Sequence, residues 1–215
     1  MEKIPCEYIV WNVLPTIRKE FAKSMMKNHG LNQKEIAKIL NITSSAVSQY
    51  LSNKRGGIDI TDHKILSEID KSVKNIIQKR TSKFSNETCR ICTLLKNKKL
   101  AIKKSEYCKG CDISCETAVW DILPVIRKEF AKNLIEFHKF NQKKVSEVLG
   151  ISEAAVSRYL SRKRGNIKIS DIKILEEIKK SSDRIAKRNG KTALNETCRI
   201  CTILKSGEPK LGIKR

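Results

Sequence analysis

The sequence predicts an all-α fold made of two similar domains in tandem. Residues 6–96 align with residues 115–205 at a constant offset of 109, without insertion or deletion, and about half of the aligned positions are identical. In both copies, apolar residues recur at the three-to-four-residue spacing of amphipathic helices. Self-similarity at this level indicates an internal duplication, and a duplicated domain can reproduce the two-fold arrangement of a homodimer within one chain. We therefore expect a pseudo-dimer.

The repeat also predicts the domain boundaries. We place a first domain at residues 1–96, a basic linker without an apolar pattern at residues 97–106, and a second domain at residues 107–215. Each domain has roughly 100 residues, which is the usual size of a unit with its own hydrophobic core.

Three helices are predicted in the first half of each copy. In copy one, apolar residues at helical spacing over residues 10–25 indicate an amphipathic helix that begins before Pro15, and a proline there must lie in the first turn or cause a kink. Asn32 is a suitable N-cap for a short helix that ends at Asn41, and Thr43 for the next, over residues 44–51. Two short helices are thus separated by a tight turn.

The second half of each copy predicts two further helices. A short β-prone stretch at residues 58–60 precedes Thr61 and Asp62, which begin a long amphipathic helix. After a polar stretch, the segment NETCRICT opens a terminal helix over residues 86–96. The long helix closes the core of its domain and could form a dimer-like seam with its counterpart.

The charge of the chain favours a polyanionic partner. Residues 1–106 hold 21 Lys and Arg against 10 Asp and Glu, and residues 107–215 hold 24 against 13, so each half carries +11. Neutralising phosphates with such cations releases condensed counterions. The alternative is a lysine-rich composition that serves solubility alone. The sequence has neither a long apolar run nor a signal-peptide pattern, so we expect a cytoplasmic protein.

The two short helices carry the most specific motif in the chain. A small residue where the helices cross (Ala37, Ser146) and an apolar anchor in the second helix (Val47, Val156) are typical of a helix-turn-helix, whose second helix fits the groove of duplex DNA. The segments NQKEIAKILNITSSAVSQYLSNKRG and NQKKVSEVLGISEAAVSRYLSRKRG resemble the helix-turn-helix of phage-repressor-type (Xre-like) transcriptional regulators. The longer pattern, PCExxVWxxLPxIRKEFAK followed by this motif and a late CxxC, is similar to the DNA-binding module of archaeal regulators.

This resemblance implies a role for particular residues. Gln33 and Gln142 would touch phosphate and brace the second helix. Cations just past that helix suit phosphate contacts: Lys54, Arg55, Lys163 and Arg164, with Arg162 replacing Asn53. The residues that would read base edges are Ser44, Ser45, Ser48 and Gln49 in copy one, and Glu153, Ala154, Ser157 and Arg158 in copy two. Some archaeal relatives carry a fused vitamin-binding domain; this chain has a second copy of the module instead, so sensing by such a domain is not implied.

The two copies differ at the positions that would read DNA. The aligned pairs that differ are Ser44 and Glu153, Ser45 and Ala154, and Gln49 and Arg158. Glutamine side chains pair with adenine, whereas arginine side chains pair with guanine. We therefore predict an operator with two unlike half-sites, about 10 base pairs or a multiple of that apart. Drift at exposed positions is the competing explanation.

Eight cysteines form a second pattern. In a reducing cytosol, CxxC spacing indicates a metal or redox site, and thiols three residues apart lie on one helix face. Zinc, an iron–sulfur cluster, a dithiol switch and simple burial all remain open. The candidate ligands are Cys6, Cys89, Cys92, Cys108, Cys111, Cys115, Cys198 and Cys201.

The sequence thus favours a sequence-specific DNA-binding transcriptional regulator that responds to metal or redox state through its cysteines. The alternative is a metal-stabilised structural or partner-binding protein with non-specific nucleic-acid affinity. An enzyme is not predicted, because there is no glycine-rich phosphate loop or nucleophile motif, and the CxxC pairs do not lie at a helix start as a dithiol catalyst requires. His29 and His138 are expected to be surface or capping residues.

Overall fold

The computed structural model describes residues 4–78, 84–97, 115–161 and 163–206, and the regular structure in these ranges is helical. The predicted all-α class is therefore confirmed. The chain divides into two compact units, an N-terminal unit of Tyr8–Lys103 and a C-terminal unit of Lys104–Arg215 together with Met1–Glu7. Within the described ranges, no helix is long and apolar enough to cross a membrane. The predicted linker at residues 97–106 lies, apart from Asn97, outside the described residues.

One helix organises the N-terminal unit. This helix, α2 (Leu14–His29), packs against each of the four helices that follow it, and buries Ile17, Phe21 and Met25 completely. The helices up to the end of the unit are α1 (Pro5–Tyr8), a π-helical turn (Ile9–Val13), α2 (Leu14–His29), α3 (Gln33–Leu40), α4 (Ser44–Leu51), α5 (His63–Gln78) and α6 (Phe84–Asn97).

The C-terminal unit has the same order of elements. Its organising helix, α8 (Leu123–Glu136), packs against the four helices after it and buries Ile126, Phe130 and Leu134. The helices are α7 (Cys115–Thr117), a π-helical turn (Ala118–Ile122), α8 (Leu123–Glu136), α9 (Gln142–Leu149), α10 (Glu153–Leu160), α11 (Ile172–Lys187) and α12 (Ala193–Ser206). The β-prone stretches after α4 and α10 form no strand in the described part of the chain.

The π-helical turns accommodate the two prolines. Pro15 and Pro124 each occupy the second residue of a long helix, directly after a π-helical turn. Proline has no N–H to donate, and its ring would clash with the carbonyl of the residue four positions earlier in an α-helix. The wider turn avoids this clash, and in the N-terminal unit the Thr16 hydroxyl donates to the Asn12 carbonyl at 2.9 Å. The predicted start of the helix before Pro15 is thus confirmed, with a π-helical turn in place of a kink.

Residues 4–7 pack in the C-terminal unit. Ile4, Pro5 and Cys6 are buried there, and Glu7 accepts two hydrogen bonds from Arg127 on α8, at 2.7 and 2.9 Å. Bidentate pairs of this kind combine two charge-assisted hydrogen bonds with a fixed geometry. No pattern in the sequence predicted that copy one would supply this glutamate.

A polar cluster joins the last two helices of each unit. In the C-terminal unit, the Arg199 guanidinium on α12 donates to Glu177 and Ser181 on α11, at 2.8 and 2.7 Å, and to Glu196 on its own helix at 3.1 Å. The aligned Arg90 on α6 donates to Glu68, Ser72 and Glu87 in the same way. The identity of the NETCRICT segment in both copies therefore has a structural cause in its glutamate and arginine.

The carboxylate of Glu196 is strongly stabilised in its ionised form. Burial acts to raise its pKa above the ordinary value of 4.5. Hydrogen bonds from Arg184, Ser181 and Arg199 outweigh this effect and lower the pKa to about 2. Because the folded protein holds this carboxylate more acidic than the unfolded chain does, its contribution to stability is complete above pH 4.5 and is lost as the pH falls toward 2.

We predict that Glu196→Gln lowers the free energy of unfolding of the C-terminal unit by about 2 kcal/mol at pH 7. The difference between wild type and variant should shrink as the pH falls from 4.5 toward 2, and urea unfolding at several pH values measures it. Glu176→Gln, an exposed change on α11, is the control. A difference between E196Q and wild type that stays constant down to pH 2 would contradict the prediction.

Candidate nucleic-acid interface

Helices α3 and α4 are joined by a three-residue turn whose geometry is fixed by hydrogen bonds. Asn41 ends α3 in the left-handed conformation, with φ 50° and ψ 50°, and the next amide, of Ile42, donates to the Ala37 carbonyl at 3.0 Å. The Thr43 hydroxyl accepts from the Ala46 amide and caps α4. The N-caps and the turn predicted from the sequence are confirmed.

The C-terminal unit builds the same turn from different residues. Gly150 ends α9 with φ 61° and ψ 46°, a conformation that glycine adopts without steric cost, and Ile151 donates to the Ser146 carbonyl at 3.1 Å. Ser152 caps α10 by accepting from the Ala155 amide. Each unit therefore sets its second short helix at a defined position relative to the first.

The second short helix of each pair has one buried and one exposed face. Val47 and Tyr50 on α4, and Val156 and Tyr159 on α10, are buried against the preceding helices. The small residues predicted at the crossing, Ala37 and Ser146, are buried. Of the side chains predicted to meet DNA, Gln49 and Arg164 are half-buried. The exposed ones are Gln33, Ser44, Ser45, Ser48, Asn53, Lys54, Arg55, Gln142, Glu153, Ala154, Ser157, Arg158 and Lys163. Arg162 lies outside the described residues.

The chain folds back after each of these helices. The amide of Arg55 donates to the Gln49 carbonyl at 3.2 Å, and the amide of Arg164 donates to the Arg158 carbonyl at 3.1 Å. The guanidinium of Arg164 lies over the Tyr159 ring, 5.8 Å from its centre. The basic residues that follow α4 and α10 are thus held beside the last turn of those helices.

Two buried lysines, which the sequence analysis missed, fix this returning chain. The Lys19 ammonium on α2 is 1% exposed and donates to the Ile58 carbonyl at 3.2 Å and to the Asp59 carboxylate at 3.0 Å. The Lys128 ammonium on α8 donates to the carbonyls of Gly165 and Ile167, at 2.7 and 3.2 Å. The signal was present in the identical LPxIRKEFAK block, whose second basic residue is this lysine.

Each basic segment, Lys-Arg-Gly at residues 54–56 and 163–165, ends in a glycine that permits close packing against the organising helix. Gly56 has φ 79°, and a side-chain carbon at this position would lie 2.9 Å from the Pro15 carbonyl oxygen. Gly165 has φ 70°, with the corresponding distance to the Pro124 oxygen at 2.7 Å. The glycine of the KRG segment is therefore required both by its backbone conformation and by its neighbour on α2 or α8.

The structure separates the cysteines into several environments. Cys6, Cys198 and Cys201 are buried in the C-terminal unit and Cys92 in the N-terminal unit, whereas Cys89 is exposed and Cys115 is half-buried. Among the described residues, no group of three or more histidines, cysteines or carboxylates is arranged to hold a metal ion. Cys108 and Cys111 lie outside the described residues, so the predicted thiolate site stays a prediction.

The two histidines pair with carboxylates on the long helices. His29 Nε2 lies 3.3 Å from the Asp70 carboxylate, and His138 Nε2 lies 2.9 Å from that of Asp183. Each pair links the end of the organising helix to α5 or α11.

Comparison of the chain with protein-family models, with curated proteins and with solved structures returned no match.

We predict that Gly56→Ala destabilises the N-terminal unit by more than about 1 kcal/mol, because alanine resists a positive φ and its methyl group would press on the Pro15 carbonyl. The adjacent Gly57→Ala is the matched control, since open space surrounds that position. Thermal unfolding measures both. Equal effects of the two substitutions would show that the KRG glycine is not required for packing.

Proposed function

We propose that the chain is a sequence-specific regulator of transcription that binds duplex DNA through two helix-turn-helix modules. One observation carries the proposal: in each unit a short helix buries an apolar face and exposes a polar face beside a fixed basic segment. The exposed faces hold donors and acceptors, such as Ser48 on α4 and Arg158 on α10. A helix presented in this way fits the major groove, where base edges carry a distinct hydrogen-bond pattern for each base pair.

The positions of the basic residues support the same proposal. Lys54 and Lys163 are exposed and lie three residues after the ends of α4 and α10, which we call the presented helices. Contacts from such residues to phosphates fix the register of a helix in the groove without reading sequence. Because the buried ammonium groups of Lys19 and Lys128 hold the segment in place, little conformational freedom needs to be lost on binding.

An origin by duplication supports a pseudo-dimeric mode of binding. Helices α9 and α10 begin 109 residues after α3 and α4, in agreement with the offset between the sequence copies. In the Glu7 to Arg127 pair, copy one supplies a side chain to the unit built from copy two, as a swapped segment does in a domain-swapped dimer. Two modules in one chain can occupy two half-sites without dimerisation in solution.

Selection of binding sequences from a random duplex library tests the proposal. We expect the full chain to select two unlike half-sites, because the exposed residues of α4 and α10 differ. Arg158→Ala should then cost about 1 to 3 kcal/mol and relax the preference at one base pair, whereas Lys163→Ala should weaken binding to all sequences alike. Binding titrations on the selected and on scrambled duplexes measure both effects.

A general polyanion binder gives a different result. If the chain shows no preference between selected and mixed-sequence DNA at physiological salt, it is a partner-binding or structural protein with non-specific nucleic-acid affinity. Selection of a perfect inverted repeat would contradict the role given to the differences between α4 and α10.

We also propose that the cysteines hold zinc or an iron–sulfur cluster that supports or regulates DNA binding. Their spacing supports this, since Cys198 and Cys201 lie one turn apart on α12. Protein purified without oxygen should contain bound metal, and Cys198→Ser/Cys201→Ser should contain less of it. Iron with matching sulfide would indicate redox control of DNA affinity, zinc a structural role, and the absence of both would contradict metal binding.

A further inference from the structure

We infer that the two units divide the work on DNA, with the C-terminal unit supplying most of the phosphate anchoring. The N-terminal unit then contributes mainly through the neutral side chains of α4. This inference rests on the proposed function. The binding partner that it concerns is the phosphate backbone of duplex DNA.

The segments that follow the presented helices differ in charge. We call residues 54–60 and 163–169 the post-helix segments. The N-terminal segment carries Lys54, Arg55 and Asp59, two cations against one carboxylate. The C-terminal segment carries three cations, Lys163, Arg164 and Lys168, and no carboxylate. The difference comes from a single aligned position, where Asp59 corresponds to Lys168.

The structure explains why this position can change sign. In the N-terminal unit, the Asp59 carboxylate helps to hold the buried Lys19 ammonium, whose hydrogen bond and charge keep the pKa of Asp59 below its ordinary value. In the C-terminal unit, carbonyls of Gly165 and Ile167 hold the Lys128 ammonium, and the Glu129 carboxylate on its own helix lies 3.3 Å from it. Position 168 is therefore not needed to bind the buried lysine, and an exposed cation occupies it.

The exposure of Asp59 makes its charge relevant to DNA. Its side chain is 83% exposed although it contacts the buried Lys19. A solvated carboxylate within the N-terminal post-helix segment repels phosphates and offsets part of the attraction of Lys54 and Arg55. No such offset exists within the C-terminal post-helix segment.

The presented helices reinforce the difference. Arg158 on α10 is exposed, whereas the aligned Gln49 on α4 is neutral and half-buried. Glu153 at the start of α10 offsets the charge of one cation in the C-terminal unit. Helix and segment together give four cations against one carboxylate in the C-terminal unit, and two cations against one carboxylate in the N-terminal unit.

Salt dependence of binding measures this division directly. Each phosphate neutralised by a protein cation adds about 0.9 to the slope of log affinity against log salt concentration. We would measure that slope by fluorescence anisotropy with the full chain and a mixed-sequence duplex of about 24 base pairs, from about 50 to about 250 mM salt. Lys54→Ala and Lys163→Ala form a matched pair, because both residues are exposed and occupy aligned positions.

We expect Lys163→Ala to lower the slope by about 0.9 and Lys54→Ala to lower it by less than half as much. The double exchange Asp59→Lys/Lys168→Asp keeps the net charge of the chain and should reverse this order when K54A and K163A are repeated in its background. Equal losses for K54A and K163A, or an order that the exchange leaves unchanged, would overturn the inference. Circular dichroism checks that each variant is folded.

The outcome separates this inference from the proposed function. If the chain selects a DNA sequence but K54A and K163A reduce the slope equally, only the division of work is wrong. If K163A has the larger effect but no sequence is selected, the anchoring stands and the regulatory function fails. Absence of duplex binding by the wild-type chain would overturn both.

Discussion

The arrangement of both presented helices depends on a buried ammonium group. Lys19 and Lys128 lie inside the units, where an unpaired charge would be costly, and each is held by oxygen atoms of the chain that follows the presented helix. The lysine therefore requires the segment to return to the organising helix, and the glycine at the turn allows the backbone to come close enough. As a result, the basic residues of the KRG segment are fixed in position although the side chains of Lys54, Arg55 and Lys163 lie in solvent.

A similar dependence explains the end of each unit. Arg90 and Arg199 each add a cluster of hydrogen bonds to two glutamates and a serine between or along the last two helices, which also bury apolar side chains. Such a cluster is favourable only when its members are satisfied together, so the pairing of α5 with α6, and of α11 with α12, is set in register. The cysteines of the same segment sit on a helix that these side chains attach to its neighbour.

Local patterns in the sequence were sufficient for the helices but not for the contacts that join them. The residues that cap the short helices act through their own side chains or backbone conformation, so the boundaries of these helices could be predicted. They are the N-caps Asn32 and Thr43, and the helix-ending residues Asn41 and Gly150. The roles of Lys19 and of Glu7 could not, because each depends on a partner about 40 or 120 residues away. The identity of the LPxIRKEFAK block in both copies marked Lys19 as constrained, without telling which atoms its side chain meets.

The differences between the two copies fall into two groups, and the contrast bears on function. On the long helices, Asp70 and Lys74 correspond to Lys179 and Asp183, so the charges have exchanged places, yet each histidine still has a carboxylate partner. That change is compensated, as expected for a contact needed by the fold. The change from Gln49 to Arg158 occurs on the face of the presented helix that points away from the core, where a second change within the unit is not needed to preserve packing. Differences of this second kind leave the scaffold intact and alter the surface alone, which is the pattern expected if the two helices contact unlike targets.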